Sequence, residues 1–269
     1  MSRLIKTLKH MIANILILAT ASLSVSYIGI CIYAYLVADS LIFPVPAPSY
    51  KDDSDILKLE TADGESISAY YLEAPEAKQL LLYSHGNGED IGEIRPLLED
   101  FQERDVSIFA YDYPGYGTST GQPSEAGIFA AADAAYAYVT SELGFSAEYI
   151  TLYGRSLGSG PSCWLVQQYP VKGLILDGGF TSTFRVISQM KILHWDVFDN
   201  LKRIPEIDTR ILFLHGKEDR IVPFSHAKKN YERAKNAEAY WANSGHNSLI
   251  ETMGDDYWKL VLSFIKQKD

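Results

Sequence analysis

A serine stands between two glycines in Gly154-Arg155-Ser156-Leu157-Gly158, with Ser159-Gly160 directly behind it. Residues 149–153 ahead of this corner are β-branched and aromatic, as in a buried strand, and residues 161–168 behind it read as a helix. A strand that turns sharply into a helix lifts the corner hydroxyl above the sheet, at the positive end of the new helix. A Cβ at either flanking glycine would collide with the neighbouring backbone. The hydroxyl becomes a nucleophile when an imidazole takes its proton and a carboxylate holds that imidazole in the right tautomer. The backbone N–H of Leu157 would then face the oxyanion that attack on a carbonyl creates.

Of the six histidines, His246 is the best general base. It sits in the loop Ser244-Gly245-His246-Asn247-Ser248, after the last strand. His10 precedes an apolar segment, His85 and His215 open turns, and His194 and His226 lie in or beside helical stretches. The carboxylate is expected from Asp219, in His215-Gly216-Lys217-Glu218-Asp219-Arg220-Ile221-Val222-Pro223, with Asp177 as its rival at the end of the preceding strand. A second oxyanion donor is expected at the backbone N–H of Asn87, because the glycines of His85-Gly86-Asn87-Gly88 let N–H groups turn inward.

These residues need a scaffold that gathers distant loops. Residues 55–61 and 66–73 flank the turn Ala62-Asp63-Gly64-Glu65 and predict an antiparallel hairpin. Strands over residues 79–84, 106–111, 149–153, 171–176, 210–214 and 237–242 then alternate with helices over residues 91–104, 126–143, 161–168, 224–234 and 256–266. Such alternation predicts an α/β protein, with a mostly parallel, doubly wound sheet and helices on both faces. The loops of Asn87, Ser156, Asp219 and His246 all follow strands, so they would collect at the carboxyl edge where such sheets bind ligands. Residues 177–209, with Phe180, Phe184, Trp195 and Phe198, are expected to form a short apolar cap over a modest acyl pocket.

Residues 11–37 hold no Asp, Glu, Lys or Arg, enough for a helix to cross a hydrocarbon core of roughly 30 Å. Arg3, Lys6 and Lys9 precede this segment, which predicts a cytoplasmic N-terminus (residues 1–10), a transmembrane anchor (11–37) and a remainder on the extracytoplasmic, periplasmic or lumenal, side. Ala19-Thr20-Ala21 resembles a signal-peptidase site, but the apolar sequence continues well past it, favouring an uncleaved anchor. Pro44, Pro46 and Pro48 mark residues 38–50 as an extended spacer, leaving 51–269 as the catalytic domain.

With 47% hydrophobic and 22% charged residues, the 269-residue chain is globular. All 34 acidic residues lie beyond residue 37, while three of the 24 basic ones lie before it, so the remainder carries a net charge of −13. Such a surface disfavours nucleic acid and anionic membrane surfaces. Cys31 in the anchor and Cys163 in the helix after the corner cannot pair within one chain, so there is no disulfide framework or cysteine metal site. No cofactor is called for.

The order Ser156, Asp219, His246 is that of nucleophile, acid and base in α/β-hydrolases. Residues 50–269 resemble that superfamily in five stretches: 84–88, 111–117 (Tyr111-Asp112-Tyr113-Pro114-Gly115-Tyr116-Gly117), 153–160, 215–223 and 245–247. The chain most resembles the membrane-anchored α/β-hydrolase-domain group related to protein depalmitoylases and to monoacylglycerol or lysophospholipid lipases. The resemblance implies Ser156 as nucleophile, Asp219 as acid, His246 as base, Asn87 and Leu157 as oxyanion donors, and an acyl ester or thioester, lipids included, as substrate. A serine at the nucleophile position separates the chain from haloalkane dehalogenases and epoxide hydrolases, which carry Asp there. A serine peptidase or amidase on the same fold and a silent, membrane-tethered binding module are the alternatives. Cytosolic depalmitoylases of the group attach through a cysteine-rich lipidated N-terminus, where this chain has an apolar span and Cys31.

Overall fold

Apolar runs without alternation, such as Leu80-Leu81-Leu82-Tyr83, can be buried only where helices cover both faces of a sheet. The computed structural model describes residues 2–188 and 190–267; residue 189 of the expected cap, and the terminal residues 1, 268 and 269, lie outside the described residues. Among the described residues eight strands form one sheet. They are β1 (Ile56–Glu60), β2 (Ser66–Leu72), β3 (Leu80–Ser84), β4 (Ser107–Tyr111), β5 (Ile150–Arg155), β6 (Gly173–Asp177), β7 (Ile211–Gly216) and β8 (Ala237–Ala242). Their order is β1-β2-β4-β3-β5-β6-β7-β8. The expected hairpin pairs β1 with β2, β2 also lies antiparallel to β4, and all other pairings are parallel. All the parallel strands therefore end on the same edge.

The chain divides into two units, Met1–Ile42 and Phe43–Asp269. The first is one helix, α1 (Ser2–Ile42), a candidate membrane span by length and composition. It outruns the charge-free residues 11–37 at both ends and takes in residues 38–42 of the expected spacer. Pro44 disfavours helical backbone at Phe43, and the helix stops there. Residues 43–50 are no free spacer. The Phe43 ring meets Phe198 edge-on at 6.2 Å, the Ser49 N–H donates to Asp90 Oδ2 at 2.7 Å, and the Tyr50 hydroxyl donates to Asp112.

In the second unit α2 (Arg95–Gln102) covers one face of the sheet, and α3 (Glu125–Ser141) and α4 (Ser159–Gln168) pack together on the other. The Ser124 hydroxyl caps α3 by accepting from the Gly127 N–H at 3.1 Å. Between β6 and β7 the chain forms α5 (Thr183–Ser188) and α6 (Asn200–Arg203); α7 (Ser225–Tyr231) precedes β8, and α8 (Leu249–Met253) and α9 (Asp255–Lys266) end the fold. Tyr257, Val261 and Phe264 of α9 share a core with Leu98 and Phe101 of α2 and with Leu81, Tyr83 and Tyr153 of the sheet.

Between β6 and β7, where the cap is expected, the aromatics are used differently from the expectation. Phe180 and Phe198 are buried, and the Phe198 ring packs edge-on against Phe129 of α3 at 5.4 Å. Phe184 and Trp195 remain half-buried, 6.5 Å apart and edge to face. A cavity of about 410 Å³ beside them is ringed by Glu125, Lys191, Asp199, Lys202, Arg203 and Glu206, so this side of the cap is charged where an apolar lining is expected from sequence. Arg185 holds the cap together through Asp196 at 3.1 Å and Asp199 at 3.3 Å.

Asn200 is fully buried, and its amide donates to Ser159 Oγ and to the Phe180 carbonyl, each at 3.1 Å, tying the cap to α4. Asn200→Ala is expected to lower the unfolding free energy by about 1–3 kcal/mol in a urea melt. An unchanged midpoint and slope would show that this tie contributes nothing.

Candidate active site

At the end of β5 the backbone of Ser156 takes a φ of +48°, the left-handed region that costs an L-residue about 1–2 kcal/mol. Close packing holds it there. A Cβ on Gly154 would come within 2.6 Å of the Gly158 carbonyl oxygen, and a Cβ on Gly158 would run into the Ser84 carbonyl at the end of β3. The chain continues through a 3-10 turn, Ser156–Gly158, into α4. Leu157 thus lies in the opening turn, where backbone N–H groups have no intrahelical acceptor.

His246 approaches from the loop after β8. Its Nε2 lies 2.9 Å from Ser156 Oγ, and its Nδ1 lies 2.6 Å from Asp219 Oδ2 in the loop after β7. A proton on Nδ1 is donated to the carboxylate, which leaves Nε2 to accept from the serine hydroxyl. Asp219 is itself fixed, since its Oδ1 accepts the backbone N–H groups of Ile221 at 2.9 Å and Val222 at 2.8 Å. Burial pushes this carboxyl up, but the hydrogen bond and charge of His246, with the Val222 N–H, outweigh burial and hold it below the usual carboxylate value.

Asp177, the rival acid, is engaged elsewhere. Its Oδ2 accepts the Tyr153 hydroxyl at 2.8 Å and lies 3.6 Å from the Arg155 guanidinium. The other described histidines of the domain have structural surroundings. His85 is buried against Tyr113 and Tyr116. His215 donates through Nε2 to the Val222 carbonyl at 2.9 Å, and burial lowers its pKa. His226 accepts the Thr181 N–H at 3.2 Å, and burial pushes it down to about 4. His194 stacks edge-on against Trp195 in the cap.

The Asn87 loop lies against the serine, since a Cβ on Gly86 would stand 3.7 Å from Ser156 Cβ. The Asn87 side chain accepts the Tyr116 hydroxyl through Oδ1 at 2.7 Å, which fixes the loop against the 111–117 turn. Three further residues reach the site that motif reading leaves without a role: Glu89, Arg155 and Asn247. Arg155 occupies the variable position beside the serine, the one sequence signal that marks it. Its charge is secure, because burial would lower its pKa but Asp177 and Glu89 more than reverse that. A cleft of about 320 Å³ opens alongside, lined by Glu89, Glu93, Arg155, Asn247, Leu249 and Ile250 among others. Cys163, one turn into α4, is fully buried, and burial pushes its thiol up to about 12. Among the described residues no group of three or more His, Cys, Asp or Glu side chains is placed to hold a metal ion.

A mostly parallel sheet entered by an antiparallel hairpin, with a serine at the tight β5–α4 corner, defines an α/β-hydrolase fold. A family model described as alpha/beta hydrolase fold matches residues 79–191. The chain is 34% identical over 224 residues to alpha/beta hydrolase domain-containing protein 17B of Xenopus tropicalis, covering 81% of this chain and 77% of that one. Its human counterpart is 33% identical over the same shares of both chains. The chain belongs to this alpha/beta hydrolase family and is a hydrolase. In fold it is similar to an esterase of Pyrococcus furiosus, with a TM-score of 0.71 at 16% identity over 83% of this chain and 98% of that one.

Asp219 supplies a pH test. Its native pKa is depressed, so its contribution to stability is complete above the unfolded carboxylate pKa of about 3.9 and is lost as pH falls through the lower native value. In denaturant melts the stability advantage of wild type over Asp219→Asn is therefore expected to be steady near pH 5 and to shrink toward about pH 2. An advantage that does not change with pH would mean that the carboxylate is not held as described.

Proposed function

We propose that this hydrolase cleaves carboxylic esters or thioesters through a covalent acyl-enzyme, with Ser156 as nucleophile, His246 as general base and acid, and Asp219 as the group that orients it. The observation that carries the reading is the continuous contact from Ser156 Oγ to His246 Nε2 at 2.9 Å and from His246 Nδ1 to Asp219 at 2.6 Å. Ser156 Oγ bonds to the acyl carbon as its proton passes to Nε2, and the carbonyl oxygen becomes an oxyanion facing the N–H groups of Leu157 and Asn87. The bond to the alcohol or thiol then breaks, and the leaving atom takes the proton from Nε2. Water attacks the acyl-enzyme and gives a proton to Nε2, which passes it to Ser156 Oγ as the acid is released.

The same reading places the domain at a membrane. Residues 11–37 of α1 are free of charge, with Arg3, Lys6 and Lys9 ahead of them, so the N-terminus is cytoplasmic and the hydrolase domain extracytoplasmic. Protease applied to the extracytoplasmic face of sealed cells or vesicles is expected to digest the domain; full protection there, with digestion after permeabilisation, reverses the orientation.

Ser156→Ala is expected to lower turnover of p-nitrophenyl esters and acyl thioesters on the order of 10⁶-fold. It should also abolish labelling by a fluorophosphonate probe while leaving the melting curve intact. Retained turnover and labelling would remove Ser156 from the mechanism.

A further inference from the structure

The residue beside the serine makes contacts that acid-base chemistry alone does not require. Arg155 closes β5, and its side chain is only 16% exposed. Its Nη2 donates to Asn247 Oδ1 at 2.9 Å, and Asn247 is the residue after His246. Its Nε lies 3.5 Å from Glu89 Oε1, which accepts the Gly86 N–H, and Gly86 precedes Asn87. Its Nη1 lies 3.6 Å from Asp177 Oδ2. The next residue is Gly178, over which the His246 ring lies so closely that a Cβ there would come within 2.9 Å of Cε1. One planar guanidinium, rooted on the residue before Ser156, thus touches the loops after β3 and β8 and the last residue of β6. A fork of five donors in fixed directions can do this, and a flexible ammonium cannot.

Charge makes the same case. Glu89 and Asp177 put two carboxylates beside a reaction that develops negative charge on oxygen. Uncancelled, they would oppose the oxyanion and favour the imidazolium form of His246, both of which slow attack.

We infer that Arg155 is a positioning residue of the active site: it holds the Asn87 and His246 loops in register with Ser156 and cancels Glu89 and Asp177. This rests on the reading of Ser156 as nucleophile. Arg155 acts through those loops and carboxylates rather than on the reacting atoms.

The test compares Arg155→Gln, Arg155→Lys, Asn247→Ala, the double variant Arg155→Gln/Asn247→Ala and Ser156→Ala in the full-length protein, with p-nitrophenyl butyrate as substrate. Arg155→Gln is expected to lower kcat on the order of 10²-fold, the scale set by misplacing reacting groups by about 1 Å. KM should stay within about twofold, because the loss falls on the transition state. The double variant should be no slower than Arg155→Gln, since both changes remove the same bond. The acid limb of kcat/KM should move to higher pH in Arg155→Gln. The groups acting on His246 there are Asp219 at Nδ1, His215 against that same carboxylate, Asp177 below through Gly178, and Glu89 across the serine. Arg155→Lys keeps the charge without the fork, so it should restore the limb but only part of kcat.

A kcat for Arg155→Gln within about threefold of wild type, multiplying independent losses in the double variant, or a loss that only follows the fraction of unfolded protein overturns the inference. If Ser156→Ala is inactive while Arg155→Gln is normal, the clamp fails and the nucleophile stands. If Ser156→Ala keeps its turnover, both fail.

Discussion

The contact between Ser156 Oγ and His246 Nε2 joins residues 90 positions apart in the chain, and it depends on strand direction. Strands β5, β7 and β8 carry the serine, the carboxylate and the imidazole, and they run parallel, so their following loops share one edge. One reversed strand would move its loop to the far edge, the length of a strand away. The remaining architecture serves that arrangement. Helices α3 and α4 on one face, and α2 and α9 on the other, allow fully buried strands to run through the middle. The pinch among Ser84, Gly154 and Gly158 fixes how far the hydroxyl stands above the edge.

Electrostatics at that edge are arranged in pairs. The domain is strongly acidic, and three carboxylates, those of Glu89, Asp177 and Asp219, surround the serine. Each has an assigned partner: Arg155 for the first two, and His246 with two backbone N–H groups for the third. The Tyr153 hydroxyl, itself 2.7 Å from that of Tyr257, holds Asp177 from below and joins the site to the core under α9. Position and charge are therefore set by the same contacts.

Much of this was legible in the chain because the signals were local. Strands buried on both faces announce themselves as apolar runs, and the last strand, residues 237–242, matches its expected bounds. The serine corner was readable from its glycines, and Asp219 and His246 from loops that follow strands. What could not be read depended on partners far away in sequence. Helix α2 begins at Arg95, not near residue 91, because Asp90 accepts the Glu93 N–H and Asp112 the Ile91 N–H, holding residues 91–94 in turns. Residues 43–50 looked like a spacer because their anchors, Asp90 and Asp112, lie 41 and 62 positions away. The reach of Arg155 to residues 89, 177 and 247 was hidden for the same reason. The cap aromatics misled because composition cannot tell a ring that lines a pocket from one, like Phe198, that packs the cap onto α3.

Cys163 lies in α4 a few residues beyond the serine, sealed from solvent with its thiol held protonated. The reactive form of a cysteine is the thiolate. The domain's one sulfhydryl is thus withheld from peroxide, from glutathione and from disulfide exchange with neighbouring proteins. The acyl transfer proposed at Ser156 needs no electron transfer either, so neither it nor the buried thiol ties the folded domain to a reducing or an oxidising compartment.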